Sequence, residues 1–443
     1  MNWDSDSPKI FKSLPKIIFS VFTLSAASAL LFILFVNRPV YDEVFHIFDI
    51  NTYAQNGVSV STVRAQRDAP GPGSFIWMAA GVRLLNGGEL RDARLAILLG
   101  WVLLVIGILV SAPYSKFSHL WYGALLTTLV FPHSLTATAT LLTEGPALLF
   151  AILGTLVWTE AVLRPKVSSR VFVLGIIGGL GMGVAIISRQ YNVALLPAAA
   201  VLALYLLRQR AAEDKTVWLA SVTFSLIVAA TPLLLLVAVW RNISSPGIAT
   251  GTSYESYHAG VGLNFFRPLV AAFCTGFYLL PLTFPALKCV QSGRRWRVLL
   301  VAAIIGIAAV PFRTYLVNIG VLHSLLEFAF RFPAAGIVIF GSLAILITYN
   351  AIALGLLMWE KRQDLLRCPP VIFAILTVLF FVGEQVGVGG NVPFYDRYEL
   401  QLAPFLGLIA FFLIPKVTLS RVSVLMGMYL LSQEMLWRLL FIK

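Results

Sequence analysis

Charged side chains are scarce in this chain: Asp, Glu, Lys and Arg make up 12% of its 443 residues, about half of the ~25% usual in soluble domains. That scarcity excludes an ordinary water-soluble fold, and the 59% hydrophobic content points to a polytopic membrane protein. Cysteine is nearly missing. Cys274, Cys289 and Cys368 sit in or beside apolar runs without CxxC spacing, so neither a disulfide framework nor a thiolate metal site can be read from them. Histidine is almost as sparse, and none of the five forms an HExxH pair, which removes the zinc-hydrolase signature. No soluble domain, linker or low-complexity tail interrupts the apolar runs. Any chemistry has to be carried by loops and helix ends.

What is present is a succession of apolar runs, near 17–36, 94–112, 119–139, 144–163, 171–187, 191–207, 217–240, 268–287, 298–319, 333–357, 370–385, 400–415 and 421–438. They read as about thirteen transmembrane helices of one integral membrane domain, 1–443. Lys9, Lys12 and Lys16 precede the first run without a small-residue cleavage pattern, so an uncleaved span with a cytoplasmic N-terminus is expected. In this orientation every inner loop is basic, as the positive-inside rule asks. Nine of the ten lysines then fall inside and only Lys443 outside, whereas the other outer basic residues are all arginines, among them Arg38, Arg94, Arg189, Arg267 and Arg397. Lysine on inner loops sets topology, while arginine offers a planar fork suited to phosphate or carboxylate. An anionic ligand on the outer face is therefore expected, against the plainer reading in which these arginines pair with outer carboxylates and snorkel. The net charge of +13 belongs to topology, and no nucleic-acid partner is expected.

The first outer loop, 37–90, gathers Asp42, Glu43, His46, Asp49, Arg64, Arg67 and Asp68 in a chain with few charges elsewhere. A helix after Tyr41 would place Asp42, His46, Asp49 and Tyr53 on one polar face, with Val44, Ile47 and Phe48 on apolar surface. This is the pattern of an amphipathic helix at the membrane interface whose carboxylates face a cavity. Gly57 and the run Pro70-Gly71-Pro72-Gly73 then turn the chain. The segment from Ser74 to Asn86 is too short to span and reads as a second interfacial helix.

Other outer segments add candidates. Arg91, Asp92 and Arg94 open the second span, where they either anchor the helix in headgroups or contact a lipid phosphate. Thr143 before Glu144 has the pattern of a helix N-cap with an acid at the positive helix end; the alternative is that Glu144 faces the same cavity as Asp42. The glycine-rich run GIIGGLGMG permits close helix approach and delivers Arg189, Gln190 and Asn192 to a tight turn at membrane depth, where an arginine needs a partner. The outer loop 241–267 carries Glu255, Tyr257 and His258 and is long enough to cover a site. His323, Glu327 and Arg331 have the spacing of i to i+4 pairing. Tyr395, Asp396, Arg397, Tyr398 and Glu399 precede a late span, with Arg397 free to clamp a phosphate or to pair with Asp396.

An Asp-Glu pair after the first span, two interfacial helices about a Pro/Gly turn and an acid opening the fourth span resemble the GT-C fold of polyprenyl-phosphate-sugar glycosyltransferases. More narrowly, YDEVFHI, LTEGPALLF, ISRQYNVALL, GIATGTSYESYH and FYDRYELQLAPF resemble the dolichyl-phosphate-glucose α-1,2-glucosyltransferases of lipid-linked oligosaccharide assembly. The chain departs from that family in its shorter inner loops, in AQRDAPGPGS before the turn and in Arg-Tyr-Glu near the end, as a bacterial or otherwise distant relative would. The resemblance implies inverting transfer of a hexose, with glucose the expected donor sugar, from a polyprenyl-phosphate donor to a glycan or lipid-linked glycan on the non-cytoplasmic face. It implies no cofactor and a reaction that is metal-independent or weakly metal-assisted. Asp42 matches the catalytic base, with Glu43 and His46 in its shell. Arg189 and Arg397 are candidate phosphate clamps, and Glu144, Gln190, His258 and Tyr398 complete the candidate substrate-binding set. A transporter or flippase for a lipid-linked sugar is the rival class; it predicts mid-bilayer ionisable residues and related halves, and neither stands out here.

Overall fold

The structure, a computed structural model, describes residues 9–40, 42–86, 88–210, 212–242, 245–246, 263–290, 292–310, 333–387, 396–415 and 419–439. Among these there is no β-strand. The α-helices are α1 Lys9–Phe35, α2 Glu43–Asn56, α3 Val60–Arg64, α4 Pro72–Leu85, α5 Glu89–Ser111, α6 Ser118–Val130, α7 Ser134–Ala139, α8 Glu144–Leu163, α9 Ser169–Ser188 and α10 Leu195–Leu207. They continue as α11 Ala212–Trp240, α12 Arg267–Thr283, α13 Ser292–Ala309, α14 Pro333–Glu360, α15 Arg362–Leu366, α16 Pro369–Glu384, α17 Ala403–Leu413 and α18 Leu419–Arg438. Nine helical segments among the described residues are long and apolar enough to cross a bilayer. The chain is a multi-pass helical membrane protein.

Of the other four expected spans, two take forms that hydropathy did not foretell. The run 119–139 is two helices, α6 and α7, because Phe131 precedes Pro132 and is extended at φ −60°, ψ 139°, the conformation a following proline imposes. The span expected at 400–415 is only α17, whose eleven residues are all buried. A helix apolar on every side suits a position enclosed by other helices. Before it, Asp396–Gln401 winds as a 3-10 turn, and that turn displaces the helix start. Residues 292–309 and 419–438 are helical as α13 and α18.

Glycine sets the central packing. A Cβ on Gly178 would lie 2.5 Å from the backbone nitrogen of Trp158 on α8, and one on Gly179 would lie 2.3 Å from the carbonyl oxygen of Ser225 on α11. The helix α9 is thus held in backbone contact on both sides. At its C-terminal end it meets the Pro/Gly turn just as closely: a Cβ on Gly71 would fall 2.0 Å from the Ile187 carbonyl oxygen, and one on Gly73 2.4 Å from Ser188 Oγ. This contact seats α4 against α9, and Ser74 Oγ adds a hydrogen bond of 2.9 Å to the Thr143 carbonyl.

Both interfacial helices are present as α2 and α4. On α2 the residues Glu43, His46, Asp49, Ile50 and Tyr53 are buried, while Val44, Phe45 and Phe48 are exposed. The polar face turns into the protein and the apolar face outward, as a helix lying at a lipid surface requires. Arg94 corrects the sequence reading. It is neither a headgroup anchor nor a lipid contact but a fully buried residue whose guanidinium grips Glu43 through Nε–Oε1 at 2.8 Å and Nη2–Oε2 at 2.5 Å. Thr143 is a second correction, because its hydroxyl makes no capping hydrogen bond to α8.

Candidate active site

Four charged groups meet at one end of the bundle. Asp42 lies just before α2, Glu144 opens α8, Arg189 closes α9 and Arg397 stands on the 3-10 turn before α17. The Asp42 carboxylate accepts a hydrogen bond from Arg397 Nη2 at 2.5 Å, across 355 residues of sequence. Glu144 Oε1 accepts from Arg189 Nη2 at 2.7 Å and stands 3.9 Å from Arg397 Nε. One carboxylate oxygen therefore sits between two guanidiniums. The other, Glu144 Oε2, and Arg189 Nε are buried with no hydrogen-bond partner among the described residues. Tyr398 forms a wall of the group: Arg189 and Arg397 stand 5.0 and 5.7 Å from its ring centroid, and Tyr191 packs on it at 4.8 Å. Cations over aromatic faces keep their charge while shedding water.

The turn bearing Arg397 is fixed from both sides. Asn192 Nδ2 donates to Gln401 Oε1 at 3.1 Å, and Gln401 Nε2 donates to the Glu144 carbonyl at 3.2 Å. Thr275 on α12 donates to the buried carboxylate of Glu399. These contacts tie the turns of Arg189 and Arg397 to the start of α8. Arg397 bonds Asp42, a partner the sequence did not offer for it; the side chain of Asp396, the partner it did offer, lies outside the described residues.

The remaining candidates divide by what they touch. His46 Nδ1 is bonded to Asp68 Oδ2, with its ring edge-on to Phe75. Gln190 Nε2 donates to the Ala69 carbonyl at 3.1 Å, so it holds the loop between α3 and α4. Glu43 is committed to Arg94 and accepts as well from the backbone N–H of Val40 and Leu141; it pins the start of α2 to α5 and to the α7–α8 connection. Asp49, expected to face a cavity, instead accepts from the backbone N–H groups of Arg67 and Asp68. His258, with Glu255 and Tyr257, and the trio His323, Glu327 and Arg331 lie outside the described residues. Among the described residues no cluster of three or more His, Cys, Asp or Glu has metal-holding geometry. The sequence reading gave no role to Asp68 or to the Asn192–Gln401 link. Asp68 pairs with a residue 22 positions earlier, so no local period exposes it.

Electrostatics sharpen the roles. Burial pushes the Asp42 carboxyl up, but Arg397, His46 and Arg189 together outweigh it and hold it below its ordinary value. It is ionised at neutral pH. Burial works against the His46 imidazolium, yet Asp68, through charge and hydrogen bond, and Asp42 raise its proton affinity above the ordinary value despite Arg189. Burial lifts Asp49 to about 6, against the opposing bonds from the Arg67 and Asp68 backbone.

Comparison with known proteins adds little at the level of sequence. No protein-family model matches the chain. No curated protein matches it either. Among solved structures, the crystal structure of ArnT from Cupriavidus metallidurans bound to undecaprenyl phosphate is similar with a TM-score of 0.44 and 17% identity, covering 95% of this chain and 76% of that one. The apo form of the same ArnT is similar with a TM-score of 0.42 and 16% identity, covering 95% and 77%.

Proposed function

We propose that this protein is a membrane glycosyltransferase of the GT-C type that moves a hexose, glucose by the motif resemblance, from a polyprenyl-phosphate donor to a hydroxyl of a glycan or lipid-linked glycan, with inversion, on the non-cytoplasmic face. One observation carries the reading: a solvent-reached carboxylate, Asp42, 36% exposed and bonded to one of two guanidiniums that converge at a membrane-helix end. Transfer needs a base on one side of the anomeric carbon and cations for the phosphate that leaves on the other. Asp42 takes the acceptor's proton; Arg397 and Arg189 bind the phosphate.

The charge arithmetic favours this order of events. A sugar phosphodiester carries one negative charge, and breaking the anomeric C–O bond adds a second to the departing phosphate. Bonds from Arg189 and Arg397 strengthen as that charge develops, so they stabilise the transition state more than the bound donor. The same anion competes with Asp42 for Arg397. As it does, the positive field that depresses Asp42 is offset and the carboxylate becomes a stronger base. Glu144 stays between the arginines and holds them in register. The exposed apolar face of α2 keeps this assembly at the depth of lipid headgroups.

The test is transfer itself. Purified full-length protein is supplied with polyprenyl phosphates bearing glucose, mannose or galactose, and with lipid-linked glycans extracted from membranes as acceptors. Formation of a new glycosidic bond supports the reading. Movement of intact donor across a vesicle membrane without bond cleavage would establish the transporter instead. Asp42→Asn should lower turnover by about 10² or more while donor binding persists.

A further inference from the structure

His46 is an ionisable side chain beside Asp42 to which sugar transfer, as set out above, gives no work. It lies one helical turn beyond Asp42, its backbone N–H bonded to the Asp42 carbonyl at 3.0 Å, so the two side chains share a face of α2. Its Nδ1 is taken by Asp68. Among the described residues nothing is bonded to Nε2. The ring is kept from rotating by Phe75, edge-on at a centroid distance of 5.3 Å. The Asp68 that holds it is itself fixed: its backbone N–H donates to Asp49 at 2.8 Å, and its carbonyl accepts from Gln66 at 3.1 Å. Gln66 in turn accepts from the Tyr53 hydroxyl at 3.0 Å. Three polar groups, Asp49, Gln66 and Tyr53, thus serve to place one carboxylate against one imidazole nitrogen. A loop needing only closure would not require an ionisable pair at its centre.

We propose that His46, oriented by Asp68, is the general acid of the transfer, protonating the departing lipid phosphate from Nε2 and recovering its proton from Asp42. The assignment rests on the sugar-transfer reading and deepens it. The proton balance closes. As the acceptor oxygen bonds to the anomeric carbon, the bond from that carbon to the phosphate oxygen breaks and its electron pair stays on the phosphate. Asp42 takes the hydroxyl proton in the same event. His46 Nε2–H then protonates the phosphate dianion, and protonated Asp42 passes its proton to the neutral imidazole. The acceptor's proton ends on the lipid phosphate, and both side chains return to their starting forms without a proton from bulk water.

The charged and titratable groups facing His46 are Asp42 and Asp49 from its own helix region, Asp68 from the α3–α4 loop and Arg189 from the end of α9. Three carboxyl groups against one guanidinium favour the imidazolium. Asp68 supplies what a lone histidine would lack, a counter-ion that fixes which nitrogen points away.

The experiment is the pH profile of kcat/KM for sugar transfer by the full-length protein, with the donors and acceptors named above. The wild-type profile should fall on its alkaline side as His46 loses its proton. His46→Gln should be at least tenfold slower at neutral pH and should lack that alkaline limb. Asp68→Asn should keep the limb but move it to lower pH by about one unit or more, because an opposite charge at hydrogen-bond distance is gone. A His46→Gln profile that retains the wild-type limb overturns the acid assignment while leaving sugar transfer standing. Absence of transfer by the wild-type protein overturns both. Should His46→Gln fail to fold, the Asp68→Asn profile decides alone: an unmoved limb refutes the assignment.

Discussion

Replacing Arg94 by methionine removes the charge that lets Glu43 be buried, and the loss can be sized from the contacts. Both side chains are 0% exposed. Arg94 makes two bonds to Glu43 and further bonds to the carbonyls of Val36 and Arg38, while Glu43 also accepts from the N–H groups of Val40 and Leu141. Breaking one partner of such a pair costs about 3–5 kcal/mol, since the surviving charge keeps its desolvation penalty without its compensation. Neutralising Glu43 as well, in Arg94→Met/Glu43→Gln, removes that stranded charge and leaves an amide oxygen for one of the two backbone donors. The double variant should thus be more stable than the sum of the single losses predicts, with an interaction energy of about 2 kcal/mol or more. Unfolding of purified protein in micelles by heat or denaturant measures all four corners of the cycle. A single Arg94→Met loss below about 1 kcal/mol, or additive losses, would refute the account of a buried clasp. Transfer activity should fall in parallel, because the clasp fixes the backbone immediately beside Asp42.

Further outcomes follow from the same contacts. Arg397→Lys keeps a charge but loses the fork; donor KM should rise at least tenfold, and an unchanged KM removes Arg397 as a phosphate ligand. Gly71→Ala puts a methyl 2.0 Å from a backbone oxygen, so the turn must move and stability should drop by about 1–3 kcal/mol; wild-type stability would mean the turn is not seated on α9. Asn192→Ala cuts the link to Gln401 and should lower kcat more than it raises donor KM, a split read from saturation curves. Finally, His46 is raised above 6.5 and Asp68 lowered below 3.8. Their pair therefore contributes fully between those values, and the contribution is lost as pH rises through the raised imidazole value or falls through the lowered carboxyl value. The stability gap between wild type and His46→Gln should be widest in that acidic window and close in alkali; a gap that grows with alkalinity contradicts the pairing.

Scarcity made part of the site legible. In a chain with so few charges, a cluster between Asp42 and Asp68 stands out, and helical spacing alone grouped His46, Asp49 and Tyr53 on one polar face of α2, which in the fold is buried and not open to a cavity. The helices α2 and α4 of the first loop were equally readable, since Pro/Gly punctuation and short apolar length are local signals; the five-residue α3 between them was not. Pairings across the bundle were not. Glu144 and Arg189 are 45 residues apart, and neither spacing nor composition says that a helix start and a helix end will coincide. The capping pattern at Thr143 misled because that residue sits in helical conformation, φ −71° and ψ −10°, instead of the extended one from which a hydroxyl caps. Pro132 was a visible signal for the break between α6 and α7, but the hydropathy of the whole run masked it.

The tie between Asp42 and Arg397 has a bearing on how the protein is made. Its acidic half emerges from the ribosome early and its basic half only after 355 further residues, an interval on the order of tens of seconds at ordinary synthesis rates. Through that interval the aspartate is without the guanidinium that bonds it in the finished fold. A truncated or half-inserted chain thus lacks the Asp42–Arg397 pair, and the proposed transfer centre is assembled only once the last outer segment has been made.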